Sequence, residues 1–368
     1  MSTAVAGRAH SAPASSAPEL VAPGQPSPPE WTSRSLVAAL RACAMRLPDP
    51  GGHLATLWDA LADSADGGSG VRPALLLATY RALGGTRDDV AHALADATEL
   101  LHTAFVVHDD VIDHDDVRRG RPTVVARHRA LARSRGADVA AADDAGLAAG
   151  ILAGDLALVR AVTAVAALDV DAPTRAALLE LLSDVIAESA AGELADTTAL
   201  PSATPDLATA LTTAERKTAA YTFVWPLRAA ALLVGTPQAR ALAPALERVG
   251  RLVGVAFQLR DDLRGTFGDP ATTGKSCVSD LREGRVTAVV AVAARTAAWP
   301  VVASVLGDAD LDEERAAPVR RALEEHGVAD AVTTLADDRL ASAVHVGRAA
   351  GVPEPLLAML CDGARAER

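Results

Sequence analysis

At 368 residues, half of them hydrophobic, the chain is long enough to bury a large core as one big domain or two. Its 47 acidic against 35 basic side chains leave a net charge of −12, and no Lys/Arg block runs longer than a few residues, so the electrostatic footprint of a nucleic-acid-binding protein is missing. The three cysteines, Cys43, Cys277 and Cys361, are odd in number and share no CxxC spacing, which argues for a reduced intracellular protein and against a disulfide framework or structural zinc.

Residues 1–33, ending SAPELVAPGQPSPPEWTS, are dense in Pro, Ala, Ser and Gly and read as a disordered tail ahead of a single domain over 34–368. The apolar residues of LVAPG and PPEWT make the tail a candidate docking segment for a protein partner or a protein shell. The opening MSTAVAGRAHSAPASS has no apolar run after a basic start, and no 18 apolar residues follow one another uninterrupted; no stable membrane insertion and a cytoplasmic location are expected.

From Leu36 onward the chain is rich in Ala and Leu, aromatics are 3%, and prolines fall mainly between segments, which favours helices. Apolar residues recur at three- and four-residue steps in LVAALRACAMRL (36–47), VAHALADATELLHTAFVV (90–107), LLELLSDVIAESAAGELA (178–195) and ALAPALERVGRLVGVAFQLRDDL (241–263). Breaks are predicted at ADGGSGVRP, GRPT, SRGADVAAADDAG, LPSATPD, VGTPQ and FGDPATTGK, where Gly, Pro and Asp supply turn chemistry. The expected architecture is an all-α bundle of about ten or more helices with short connections.

Two helix ends stand out. In FVVHDDVIDHDDVRRGRPT (105–123), Asp109, Asp110 and Asp113 occupy positions i, i+1 and i+4, which lie within about 100° of one another on a helix. VGVAFQLRDD closes on a second pair, Asp261 and Asp262. Taken singly, each acidic cluster fits either a solvated helix end or a cation site. Facing one another across a cavity, the two would offer the hard oxygen ligands that Mg²⁺ prefers and completes with substrate phosphates. Arg118 and Arg119 follow the first cluster and Lys275 the second, so fixed cations accompany both, as a polyphosphate ligand requires.

In these residues the chain, over about 36–368, resembles the trans-isoprenyl diphosphate synthases, or polyprenyl synthetases. HDDVIDHDDVRRGRPT is similar to the first aspartate-rich motif of that family with its trailing RRGxPT; FQLRDD, FGDPATTGKS and DLREGRVT are similar to the second, and GDLAL (154–158) and Lys217–Thr218 match further family positions. The resemblance implies a large single-domain helical bundle around a central cavity, the isoprenoid synthase type I fold, and a homodimer. It implies that Asp109, Asp110, Asp113, Asp261 and Asp262 hold three Mg²⁺ ions on an allylic diphosphate, with Arg118, Lys217 and Lys275 binding the same diphosphate and Thr218 and Gln258 beside them.

The homoallylic co-substrate, isopentenyl diphosphate, would be held by Arg72, His102 and Arg119. There the chain departs from the family: GGSGVRP (67–73) has Ser69 and Gly70 where basic residues are usual. Gly265 stands at the third aspartate of the second motif, Glu193 follows Gly192 where Gln is usual, and Arg285 replaces a Lys. Ala104 and Phe105, just ahead of Asp109, are the chain-length positions; a small residue followed by a ring points to a C20 (geranylgeranyl) or longer product. Two alternatives accompany this reading, a synthase-like terpene cyclase working on an allylic diphosphate alone and a non-catalytic subunit of a heteromeric synthase.

Overall fold

The computed structural model describes residues 31–198, 205–268 and 279–365. Residues 1–30 of the tail, Lys275 and Cys277, and most of the LPSATPD and FGDPATTGK breaks lie outside the described residues.

The described chain is helical almost throughout. In order come α1 (Arg34–Cys43), α2 (His53–Ala65), α3 (Val71–Ala82), α4 (Asp88–Ile112), a short antiparallel hairpin of β1 (Val117–Arg118) and β2 (Arg121–Pro122), α5 (Val124–Ser134), α6 (Val139–Ala166) and α7 (Ala172–Thr197). A second half follows with α8 (Leu207–Ala214), a π-helical segment (Glu215–Val224), α9 (Trp225–Val234) and α10 (Pro237–Phe267). Shorter helices and the long pair Val328–Ala350 and Glu354–Arg365 complete it.

Two hydrophobic clusters form the core. One gathers α1, α2, α4, α6 and α7 around side chains such as Leu61, Leu94, Leu101 and Leu178. The other packs α10 against the C-terminal helices through Leu246, Val253, Leu259, Val332 and Leu340. The α8–π–α9 rod serves both: Trp225 is fully buried in the first cluster, while Phe223 and Leu227 belong to the second. The Trp225 indole donates to the Thr98 hydroxyl on α4 at 2.9 Å, so its one polar atom is satisfied inside the core.

Periodicity located the long helices and misplaced some ends. The first helix stops at Cys43, four residues short of the apolar pattern, and leaves Met45 and Leu47 exposed ahead of Pro48. In SRGADVAAADDAG, the break is confined to its first residues. The Asp138 side chain accepts from the Ala141 amide and caps α6, so VAAADDAG is already helix. Among the described residues, α6 is the one helix long and apolar enough by composition to cross a membrane, and 39% of that stretch is buried.

Candidate active site

Both acidic clusters open onto one cavity of about 1540 Å³, lined by Asp109 and Asp113 from the end of α4 and by Asp261 and Asp262 of α10, which runs on past them to Phe267 rather than closing on the pair. Lys217, on the π-helical segment, faces it as well. A π-helix needs room for its wider turn, and the neighbouring helices provide it at glycines. A Cβ on Gly192 of α7 would come within 2.4 Å of the Lys217 amide nitrogen, and one on Gly254 of α10 within 2.3 Å of the Ala219 Cβ. Runs of this geometry are rare and cluster at functional positions; here it carries Lys217, Thr218 and Tyr221 toward the cavity.

The RRGRPT stretch forms the β1–β2 hairpin. Its two loop residues, Arg119 and Gly120, both take positive φ (53° and 71°), the requirement of the tight turn that matches strand twist. The turn aims the two arginines differently. Arg118 returns to the first acidic cluster: its Nε donates to Asp110 Oδ1 at 2.7 Å and its Nη2 to Asp115 Oδ2 at 3.0 Å, with Asp109 Oδ2 at 3.4 Å. Arg119 instead lies beside Gly68, near the buried Glu99 carboxylate of α4.

Around Asp113 and Lys217 the charges interlock. Arg285 pairs with Asp113 and donates to Asp196 Oδ2 at 2.8 Å, and the same Asp196 oxygen accepts from Lys217 Nζ at 2.8 Å. Lys217 also donates to Glu193 at 3.0 Å and lies 3.8 Å from Asp109 Oδ1. Burial alone would lower the Lys217 ammonium, but Asp196, Asp109 and Glu193 outweigh it and raise its pKa. Burial, reinforced by the Asp109 charge, pushes the Asp113 carboxyl up to about 7 despite Arg285 and Lys217. Asp110 rises to about 6, burial again prevailing over Arg118.

The second station is built without an arginine clasp on its inner member. Asp262 is buried; it accepts from the Gln258 side-chain amide at 2.8 Å and from the Ala288 amide at 3.2 Å. Burial, helped by Asp280, takes its carboxyl to about 7. Gln258 is fixed in turn by the Thr218 hydroxyl at 2.6 Å, tying the π segment to α10. Asp261 is exposed, with Arg264 on one oxygen at 2.9 Å.

Oxygens of Asp109, Asp113 and Glu193 lie within 4.8 Å of one another. A set of carboxylate oxygens at that spacing suits a hard divalent ion such as Mg²⁺.

Other predicted positions divide by depth. Arg72, Phe105, Arg118, Thr218 and Gln258 face the cavity; Asp110, His102, Ala104 and Arg119 are not among its lining residues. Ala104 is fully buried, so the cavity wall at the chain-length position is Phe105, edge-to-face with Tyr221 at 5.0 Å. His102 stacks on the other side of Tyr221 at 6.1 Å. Burial and the neighbouring Arg72 and Arg119 keep its ring neutral, well below the usual imidazole range. Arg72 sits over the Tyr221 ring, 4.8 Å from its centroid, and donates to the Tyr221 and Thr222 hydroxyls at 3.1 and 3.0 Å.

Several contributors escaped the sequence reading. Glu193 and Arg285 were visible there only as departures from a pattern, whereas Asp196, Tyr221 and Glu99 carried no motif signal. Ser189 also lines the cavity, its buried hydroxyl without a partner among the described residues.

Comparison with known proteins gives a consistent picture. The family model described as "Polyprenyl synthetase" matches residues 55–323. A (2E,6E)-farnesyl diphosphate synthase of Mycobacterium tuberculosis is 36% identical over 242 residues, 64% of this chain and 61% of the relative, so the chain spans about three fifths of the length of that relative. A geranylgeranyl diphosphate synthase of Methanosarcina mazei is 30% identical over 270 residues, 73% of this chain and 76% of the relative. Among solved structures, the geranylgeranyl pyrophosphate synthase of Corynebacterium glutamicum complexed with isoprenyl diphosphate and magnesium superposes with a TM-score of 0.80 at 28% identity, covering 90% of this chain and 94% of that one.

Proposed function

We propose that this chain, which belongs to the polyprenyl synthetase family and has its all-α type I isoprenoid synthase fold, is a Mg²⁺-dependent trans-prenyltransferase joining an allylic diphosphate to isopentenyl diphosphate. The observation that carries this reading is the convergence of Asp109, Asp113, Asp261 and Lys217 on one cavity. On the first station Asp109 and Asp113, with Glu193 as an additional carboxylate, would hold metal, and on the second Asp261 and Asp262; three ions is the number that the family resemblance implies. Bound there, Mg²⁺ neutralises the charge that builds on a departing diphosphate.

The chain's own side chains do the rest. Lys217 and Arg118, already ordered by carboxylates, exchange those partners for diphosphate oxygens without having to be recruited from solvent; Lys275 is proposed for the same diphosphate. As the allylic C–O bond breaks, the cation left behind lies in a cavity whose wall includes Phe105, Tyr221 and Phe257, aromatic faces that favour positive charge. Arg72 and Arg119 then hold the diphosphate of isopentenyl diphosphate so that its double bond attacks that carbon, and loss of a proton closes the new alkene. Neutral His102, stacked behind Tyr221, keeps the ring in place.

The product is proposed to be geranylgeranyl diphosphate or longer, the reading made from Ala104 and Phe105, of which Phe105 forms the cavity wall. A cytoplasmic homodimer completes the proposal. Ile151, Leu152, Val159 and Val162 leave an apolar stripe exposed on α6, which a second copy would cover.

A second reading keeps ionisation and drops isopentenyl diphosphate, letting the cation cyclise. It is favoured by the second-substrate loop, where Ser69 and Gly70 supply no charge and Glu99 offsets Arg119. Incubation with Mg²⁺ and geranyl or farnesyl diphosphate, with and without isopentenyl diphosphate, decides between them. Longer diphosphates support transfer; hydrocarbons made without the co-substrate support cyclisation and sink the first reading.

A further inference from the structure

Residues 31–33 read as the end of a low-complexity tail, yet in the fold they touch both ends of one loop. The loop is 66–70, between α2 and α3, and it leads directly into Arg72. At its start, the Ser33 hydroxyl donates to Asp66 Oδ1 at 3.1 Å. At its end, the Trp31 indole lies against Gly70: a Cβ there would stand 3.1 Å and 3.2 Å from Cε3 and Cζ3 of the ring. Gly70 has φ +61°, which strains any side chain, and a Cβ there would press on the tryptophan ring that occupies the space.

The indole is itself anchored. Its Nε1 donates to Asp96 Oδ1 on α4 at 2.7 Å, and its ring packs against the N-terminal core. Asp96 is one turn before Glu99, on the same face of the helix. Glu99 meets the loop at Gly68, where a Cβ would lie 2.8 Å from Glu99 Oε1 and 3.5 Å from Arg119 Nη1. The loop is therefore held at Gly70 by Trp31 and at Gly68 by the Glu99–Arg119 pair, with Arg72 two residues beyond.

We infer that Trp31, with Ser33, is a strap for the second-substrate side of the cavity, and that Trp31 is a positioning residue that sets affinity for isopentenyl diphosphate through Arg72 and Arg119. This rests on the transfer reading above. A loop with three glycines, Gly67, Gly68 and Gly70, and no basic side chain of its own gains rigidity from each contact that holds it. The strap supplies from another segment the rigidity that lets two arginines meet one diphosphate together. The allylic diphosphate, held at the aspartate stations, is untouched by it.

The test is steady-state kinetics on the full chain with Mg²⁺, geranyl diphosphate and isopentenyl diphosphate. Trp31→Ala raises KM for isopentenyl diphosphate roughly tenfold, the scale of one weakened charge-assisted contact. KM for geranyl diphosphate and kcat at saturation stay within about twofold. Trp31→Phe, which keeps the ring on Gly70 and loses the N–H donor, falls between, and serves in place of Trp31→Ala should that variant not fold. Equal changes in both KM values, a fall in kcat alone, or no change in either variant overturns the strap. If the wild type lengthens no allylic diphosphate, the transfer reading fails on its own. Calorimetric binding of isopentenyl diphosphate then judges the strap: weaker binding by Trp31→Ala upholds it, and equal or absent binding in both proteins overturns it.

Discussion

The two aspartate stations share a sequence pattern and differ in how the fold treats their charge. At the end of α4, Arg118 and Arg285 clasp Asp110 and Asp113, while Lys217 bridges to Glu193 and Asp196. Near the end of α10, Asp262 is cradled by the Gln258 amide and the Ala288 N–H, and Asp261 stands in solvent beside Arg264. The first station is an assembled ion network, which on the proposed function exchanges its cations for a metal–diphosphate pair. The second is a buried acid held by neutral donors alone. Two similar motifs thus hold their carboxylates in different ways, one by ion pairs and the other by neutral hydrogen-bond donors.

The sharpest way to break this contrast is to remove one carboxylate from each station. Asp113→Asn is expected to lower kcat about 10²–10³-fold, the scale for losing a preorganised electrostatic group, and exposed Asp261→Asn clearly less; turnover at saturating Mg²⁺ measures both. Equal losses would erase the distinction. Next is Arg285→Ala, which strands Asp113 in a mostly buried setting and leaves Asp196 to Lys217 alone: stability should fall by about 3 kcal/mol in urea unfolding, while Asp261→Asn should be near neutral.

The pH dependence follows from the sign of the shifts. Asp113 and Asp262 are both raised to about 7, by burial first, so below that pH they hold protons which a cation must displace. Mg²⁺ affinity should therefore climb toward pH 7, by up to about tenfold per proton per unit below it, and level off above, with protons released on binding at the acid side; calorimetry in buffers of differing ionisation enthalpy reads this directly. A pH-independent affinity would show that neither group ionises on binding. The smallest energetic effect is Gln258→Leu. It removes one donor from Asp262 and the Thr218 tie, costing about 1–2 kcal/mol in stability and pushing Asp262 further up. Phe105→Ala should leave the stations intact and shift the products, read by chromatography, toward longer chains.

The stations themselves were legible in the sequence because apolar periodicity and paired acids are local signals. So were α4, α7 and α10, whose repeats span many turns. What the sequence concealed is relational. Arg285 lies in a loop 172 positions from Asp113, and nothing in its neighbourhood names that partner. The π segment differs from an α-helix only in hydrogen-bond register, which composition does not encode; its faint trace is a pair of glycines on other helices. Asp138 begins α6 inside what reads as a charged loop, because a capping side chain and a turn residue are the same amino acid. Trp31 was read as part of the tail by its neighbours, although its own indole is held on α4.

The widened segment between Glu215 and Val224 also has a bearing on how this chain tolerates change. A π turn spends extra residues where an ordinary helix would not, so its two flanks are out of phase by more than a smooth α-helical rod would allow. Deleting one residue there could be absorbed by reverting toward α geometry without breaking the rod. The cost would fall on direction: an α-helix advances about 100° per residue, so Lys217 and the Trp225 anchor could not both keep their present bearings. The irregular turn works as a phase adjuster, letting one face of a single rod serve a charged pit while the next serves a dry core.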